Sequence, residues 1–66
     1  MKVLCNGEAQ EIDPGIMVAD YLGQLGLDAL SLVVECDGQI LTREEYSSHE
    51  LKDGSVLELI RFVGGG

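Results

Sequence analysis

The stretch Val18-Ala19-Asp20-Tyr21-Leu22-Gly23-Gln24-Leu25-Gly26-Leu27 decides the fold. Val18, Tyr21, Leu22 and Leu25 stand at i, i+3, i+4 and i+7, one apolar stripe at helical spacing, while Asp20 and Gln24 point the other way. The pattern predicts a helix from about Met17 to Leu25. Gly23 inside it costs about 1 kcal/mol relative to Ala. Gly26 is placed to take left-handed backbone just past the end, with Leu27 folding back on the last turn. Neither Ile16 nor Met17 is a good N-cap, so the start is expected to fray or to borrow its capping from elsewhere.

On either side of this helix the pattern is β. Met1, Val3 and Cys5 share one face of a strand over Lys2–Asn6, and Asn6-Gly7 is a strong type I′ hairpin signal. The return strand covers Glu8–Ile12 and stops at Asp13-Pro14-Gly15. Beyond the helix, Leu32, Val34 and Cys36 alternate with Val33 and Glu35. Asp37-Gly38 makes a second hairpin turn, and Gln39–Thr42 returns. Arg43–Tyr46 reads as a short helical turn with the Tyr46 ring tucked down, and Leu51 as core. After the turn at Asp53-Gly54, the longest strand runs over Ser55–Val63, with Leu57 and Leu59 facing the core. Val56, Glu58, Ile60 and Phe62 lie on the other face.

One helix can bury its stripe only against one face of a single mixed sheet of about five strands. The crossover rule is taken to set the strand after the helix parallel to the first strand. The last strand, longest and most apolar, belongs in the middle. This is an α+β chain with the β-grasp layout: a domain over 1–63 followed by a glycine tail at 64–66, expected to be flexible.

Composition narrows the partners. Four Lys+Arg against 12 Asp+Glu give a net charge of -8 and a pI near 4.2. Nucleic acid and anionic membrane surfaces both select clustered basic residues, so neither is expected as a partner. A basic protein surface is, because opposite fields speed encounter. At 66 residues with 45% hydrophobic content the chain supports one small core. No apolar run is long enough to span a membrane or to form a signal-peptide core. Two cysteines allow at most one disulfide, and the expectation is a cytoplasmic chain with both thiols reduced.

The search for catalytic residues finds little. His49, the only histidine, lies in Ser47-Ser48-His49-Glu50 with no second ligand or nucleophile spaced to it, and reads as a solvated loop residue. Cys5 and Cys36 occupy core-facing strand positions with no adjacent Lys or Arg to hold a thiolate, which points to packing. Glu44 and Glu45 are adjacent on a turn, point apart, and read as solvated. No phosphate loop or dinucleotide fingerprint is present.

The unusual feature is the ending, Phe62-Val63-Gly64-Gly65-Gly66. Three extended residues reach about 10 Å beyond a strand. Without Cβ atoms they can thread a narrow channel into another protein's active site. An α-carboxylate at Gly66 is anionic at neutral pH and can attack a nucleotide phosphate. Adenylation would convert it from a poor acyl donor into one that a sulfur nucleophile or an amine can displace. The chain has no phosphate site of its own, so a partner enzyme must carry out that step.

Several features together resemble the ThiS family, the sulfur carriers of thiamin biosynthesis, within the wider group of ubiquitin-like β-grasp proteins. They are Asn6-Gly7, the run from Val34 to Tyr46, Asp53-Gly54 and the ending Arg61-Phe62-Val63-Gly64-Gly65-Gly66. Family members often carry Thr or Ser where this chain has Met17, and Pro where it has Thr42. The resemblance implies a protein cosubstrate that is not an enzyme. Gly66 would be adenylated by a ThiF-like adenylyltransferase that consumes ATP, with no cofactor bound to the carrier itself and no metal. Sulfur from a cysteine desulfurase would then make a C-terminal thiocarboxylate for thiazole synthase. Gly64 and Gly65 would enter the partner's active site, and the partner-binding surface maps to Ile60, Phe62 and Val63. The alternatives are a molybdopterin-synthase small subunit, which presents the same group to another acceptor, a ubiquitin-like modifier joined through Gly66, and a plain interaction module with an idle tail.

Overall fold

The computed structural model describes residues 1–61. Phe62, Val63 and the glycines at 64–66, with the domain boundary drawn at 63, lie outside the described residues. The elements run β1 (Lys2–Cys5), β2 (Glu8–Glu11), α1 (Val18–Gln24), a 3-10 turn (Ala29–Ser31), β3 (Leu32–Cys36), β4 (Gln39–Ile40), α2 (Arg43–Tyr46) and β5 (Val56–Arg61). The five strands form one sheet in the order β2-β1-β5-β3-β4. The β-grasp layout read from the sequence is therefore the one found, with the last strand at the centre.

Both hairpins turn as the dipeptides require. Asn6 and Gly7 have φ of 51° and 82°, and Asp37 and Gly38 have 51° and 85°. These are the paired positive values of a type I′ turn, which matches the right-handed twist of the strands it joins. The turns fix the registers Cys5 opposite Glu8 and Cys36 opposite Gln39.

One expectation about direction is corrected. β5 is parallel to β1 and antiparallel to β3, so β3 runs antiparallel to β1. The helix departs from β2, which is antiparallel to β1. The crossover rule therefore relates β3 to β2, and those two do run the same way.

Helix α1 buries Val18, Tyr21 and Leu22 against the sheet, alongside Val3, Val34 and Leu57. Each fully buried Leu or Val contributes roughly 1.5–3 kcal/mol. Leu25, expected in the same stripe, is instead 46% exposed. It is the C-cap residue, where the chain leaves the helix. Gly26 takes φ +72°, and the N–H groups of Gly26 and Leu27 donate to the carbonyls of Gly23 (3.1 Å) and Leu22 (3.0 Å). This Schellman closure turns Leu27 inward in place of Leu25.

The start of α1 borrows its capping, as the sequence suggested. The Val18 N–H donates to the carbonyl of His49 at 3.0 Å, the Leu51 N–H donates to Ile16 at 2.9 Å, and Asp20 Oδ2 accepts from the Met17 N–H at 3.4 Å. The segment after α2 thus ties the helix to the rest of the domain and delivers Leu51, which is fully buried. The return strand β4 is shorter than expected, because Leu41 turns into the core and Thr42 becomes the N-cap of α2.

Candidate functional site: the outer sheet face and the end of strand β5

Strand β5 is the last element before the glycines in the sequence. Its inward residues are Leu57, which is buried, and Leu59, which is half-buried. Val56, Glu58 and Ile60 are exposed on the side away from α1. This matches the alternation read from the sequence. Ile60, the only member of the expected partner-binding surface within the described residues, is 52% exposed.

The neighbouring strands extend that face. Leu4 of β1 stands opposite Val56, Val33 of β3 opposite Ile60, and Glu35 of β3 opposite Glu58. Ile40 of β4 stands opposite Glu35. Leu4, Val56, Ile60 and Ile40 are all large apolar side chains left exposed. Sequence reasoning set Val56 and Ile60 on this face and missed Leu4, Val33 and Ile40, although Leu4 and Val33 sit on the outer phase of their strands. Only the cross-strand register shows that they form one patch.

Two turn side chains finish the edges of β5. Asn6 Oδ1 accepts from the Leu59 N–H at 2.8 Å and its Nδ2 donates to the Leu59 carbonyl at 3.4 Å. Asp37 Oδ1 accepts from the Val56 N–H at 2.9 Å. The hairpins therefore clamp the central strand as well as reversing the chain. At the Asn6 end of the sheet a cleft of about 340 Å³ is lined by Cys5, Leu25, Leu27, Leu32 and Leu59, with Asn6 and Arg61 beside them.

The other candidates resolve as follows. Cys5 and Cys36 are free thiols. Cys36 is buried, and its pKa is raised by burial first and by the Asp37 carboxylate beside its sulfur second, with Ser55 opposing. A thiol in that state is a poor nucleophile, in keeping with a packing role. Cys5 is half-buried against Tyr21, whose pKa is pushed up to about 12 by burial and then by the Cys5 thiol. His49 is half-buried, not fully solvated, and its visible work is done by the backbone. Its N–H donates to the Glu45 carbonyl at 2.7 Å and its own carbonyl caps α1.

Glu45 is not merely solvated either. Its Oε1 accepts from the Thr42 N–H at 2.8 Å and from Thr42 Oγ1 at 3.1 Å, which holds its pKa below the usual carboxylate value. The spacing Thr42-x-x-Glu45 is a capping-box signal that was legible in the sequence. Among the described residues no group of three or more His, Cys, Asp or Glu is arranged to hold a metal ion. No helix among them is long and apolar enough to cross a membrane.

The ThiS family model matches residues 3–66. The chain belongs to the ThiS family. It is 37% identical over 49 residues to the sulfur carrier protein ThiS of Bacillus subtilis, covering 74% of each chain. It is 35% identical over all 66 residues to a thiazole synthase of Paramagnetospirillum magneticum and spans only 20% of that longer protein. The crystal structure of the thiamine biosynthesis protein ThiS from Geobacter metallireducens superposes with a TM-score of 0.86 at 32% identity, over the full length of both chains. The ThiS resemblance read from the hairpin turns and the glycine ending is therefore the correct family. In this ThiS-family chain the clamp by Asn6 and Asp37 lies on the strand that leads into the glycine ending.

Proposed function

We propose that this chain is a sulfur carrier of thiamin biosynthesis, acting as a protein cosubstrate and not as an enzyme. The observation that carries the reading is the family match through residue 66, which takes in Gly64-Gly65-Gly66 at the end of the sequence. In this reading a ThiF-like adenylyltransferase threads Gly64 and Gly65 into its active site. The Gly66 carboxylate attacks the α-phosphate of ATP, and pyrophosphate leaves. A persulfide supplied by a cysteine desulfurase displaces AMP, and reduction of the acyl disulfide by a thiol leaves the thiocarboxylate. Thiazole synthase then accepts the sulfur. The matching segment in the relative named thiazole synthase from Paramagnetospirillum magneticum supports that acceptor.

The carrier's contribution is presentation. A tail without Cβ atoms enters a narrow channel, while Ile60, Phe62 and Val63 rest against the partner. The reading assigns the cycle to the cytoplasm, because it needs ATP and reduced thiols.

The test is an intact-mass measurement after incubation with ATP, a cysteine desulfurase and the activating enzyme from the same organism. One oxygen-to-sulfur exchange at Gly66 is expected, and addition of thiazole synthase should reverse it. Isopeptide-linked products would instead mark a modifier, and transfer to molybdopterin synthase but not to thiazole synthase would mark the other carrier class. A chain extended by one serine after Gly66 should fold normally and accept no sulfur. Thiolation of that extended chain would remove Gly66 from the mechanism.

A further inference from the structure

The β3–β5 register sets Glu35 directly opposite Glu58 on the outer face. Opposed residues on one face of an antiparallel pair have Cβ atoms about 4.5–5.5 Å apart, where like charges destabilise the sheet. No ion pair among the described residues joins a cation to either carboxylate. The one ion pair among the described residues joins the Met1 amine to Glu11 at 3.6 Å, and the Arg43 guanidinium donates to the Leu30 carbonyl at 3.2 Å.

The surroundings of the pair are apolar. Val56 and Ile60 flank Glu58 along β5. Leu4 stands beside Val56, Val33 beside Ile60, and Ile40 beside Glu35. Two unpaired carboxylates thus lie in the middle of an exposed apolar ring.

We propose that this face docks on a surface of the activating enzyme that presents an arginine among apolar side chains, its guanidinium spanning Glu35 and Glu58. The inference rests on the carrier reading above and adds the chemistry of the contact. An arginine fits better than a lysine. Its planar fork carries five donors and can serve two carboxylates at once, and its weaker hydration suits an apolar ring. A second copy of this chain is disfavoured, because it would bring the same two carboxylates and a further net charge of -8 to the contact. A guanidinium placed between the two carboxylates offsets their like charge, so the pair strengthens the complex.

The experiment compares the native chain, the E35Q/E58Q variant and an E44Q/E50Q variant that makes the same charge change off this face. Binding to the activating enzyme is followed by calorimetry at rising salt, with carrier-dependent pyrophosphate exchange measured alongside. E35Q/E58Q should bind at least tenfold more weakly with a flatter salt dependence, raise KM for the carrier with kcat kept, and unfold at an equal or higher denaturant concentration. E44Q/E50Q should bind nearly as the native chain does. Equal binding of E35Q/E58Q and native chain overturns the inference while leaving the carrier reading intact. Equal weakening of both variants overturns it too, since net charge alone would then explain the loss. A native chain that supports no exchange at all overturns both readings.

Discussion

The carboxamide of Asn6 holds the backbone of Leu59 at both of its polar groups, N–H to Oδ1 at 2.8 Å and carbonyl to Nδ2 at 3.4 Å. One side chain thereby extends the β1–β5 ladder past the end of β1, while its own backbone takes the left-handed conformation the hairpin needs. Asn6→Ala removes both bonds and places an unsuited residue at φ 51°. It should destabilise the domain by about 2–3 kcal/mol. Asn6→Asp keeps an acceptor and tolerates the turn, so its loss should be about half as large. Urea unfolding of the two variants checks this, and an Asn6→Asp variant as stable as the native chain would show that the bond to the Leu59 carbonyl contributes nothing.

Gly23 lies in the exposed interior of α1 with ordinary helical backbone, and a Cβ added there meets nothing within 4 Å. Gly23→Ala should raise stability by about 1 kcal/mol through helix propensity and a less flexible unfolded chain. Gly26→Ala, at φ +72°, should lower it by about 1–2 kcal/mol. Denaturant midpoints of the pair should move in opposite directions. A Gly23→Ala midpoint below that of the native chain would contradict the open space seen around the site.

Tyr21 has its pKa pushed up to about 12 because its hydroxyl lies in the core beside Cys5. The unfolded chain ionises this phenol near its ordinary value of about 10. Its contribution to stability is therefore complete below about pH 10 and is lost as pH rises from there toward about 12. Tyr21→Phe should remove that alkaline decline. Stability measured across this range should fall in the native chain and stay flatter in the variant; parallel curves would place the loss elsewhere.

Glu45 responds in the opposite direction. Two bonds from Thr42 hold its carboxyl below the usual glutamate value, so the cap on α2 is in place above that value and is lost as pH falls through the lowered one. Thr42→Pro removes both donors while accepting the observed φ of -79°. The Glu45 side-chain carbon, followed by NMR during an acid titration, should titrate at a higher pH in Thr42→Pro than in the native chain. An unchanged midpoint would show that the cap does not hold the charge.

Most of the fold was legible because each element is set by local chemistry. Asn6-Gly7 and Asp37-Gly38 specify their turns, the α1 stripe sets its buried face, and period-two alternation sets which side of β5 is wet. The direction of β3 was misjudged because the crossover rule acts from the strand that precedes the helix. Leu25 was misplaced because the stripe does not show where the helix stops, whereas the Schellman closure around Gly26 does. On the outer face, the exposure of Ile60 was legible from its own strand. Leu4, Val33 and the Glu35–Glu58 opposition depend on pairing between distant segments, which one strand's periodicity does not encode. The glycine ending was legible as composition and as a family likeness.

The placement of β5 between a parallel and an antiparallel neighbour has a mechanical consequence. Its rungs to β1 and β3 lie across the strand axis, from Leu4 and Val56 at one end to Leu32 and Arg61 at the other. Tension applied beyond Arg61 is therefore shared by all of these rungs in shear, and they cannot be peeled away one at a time. A machine hauling on that terminus would feel a stiff anchor, and the body would stay folded while its end is worked upon.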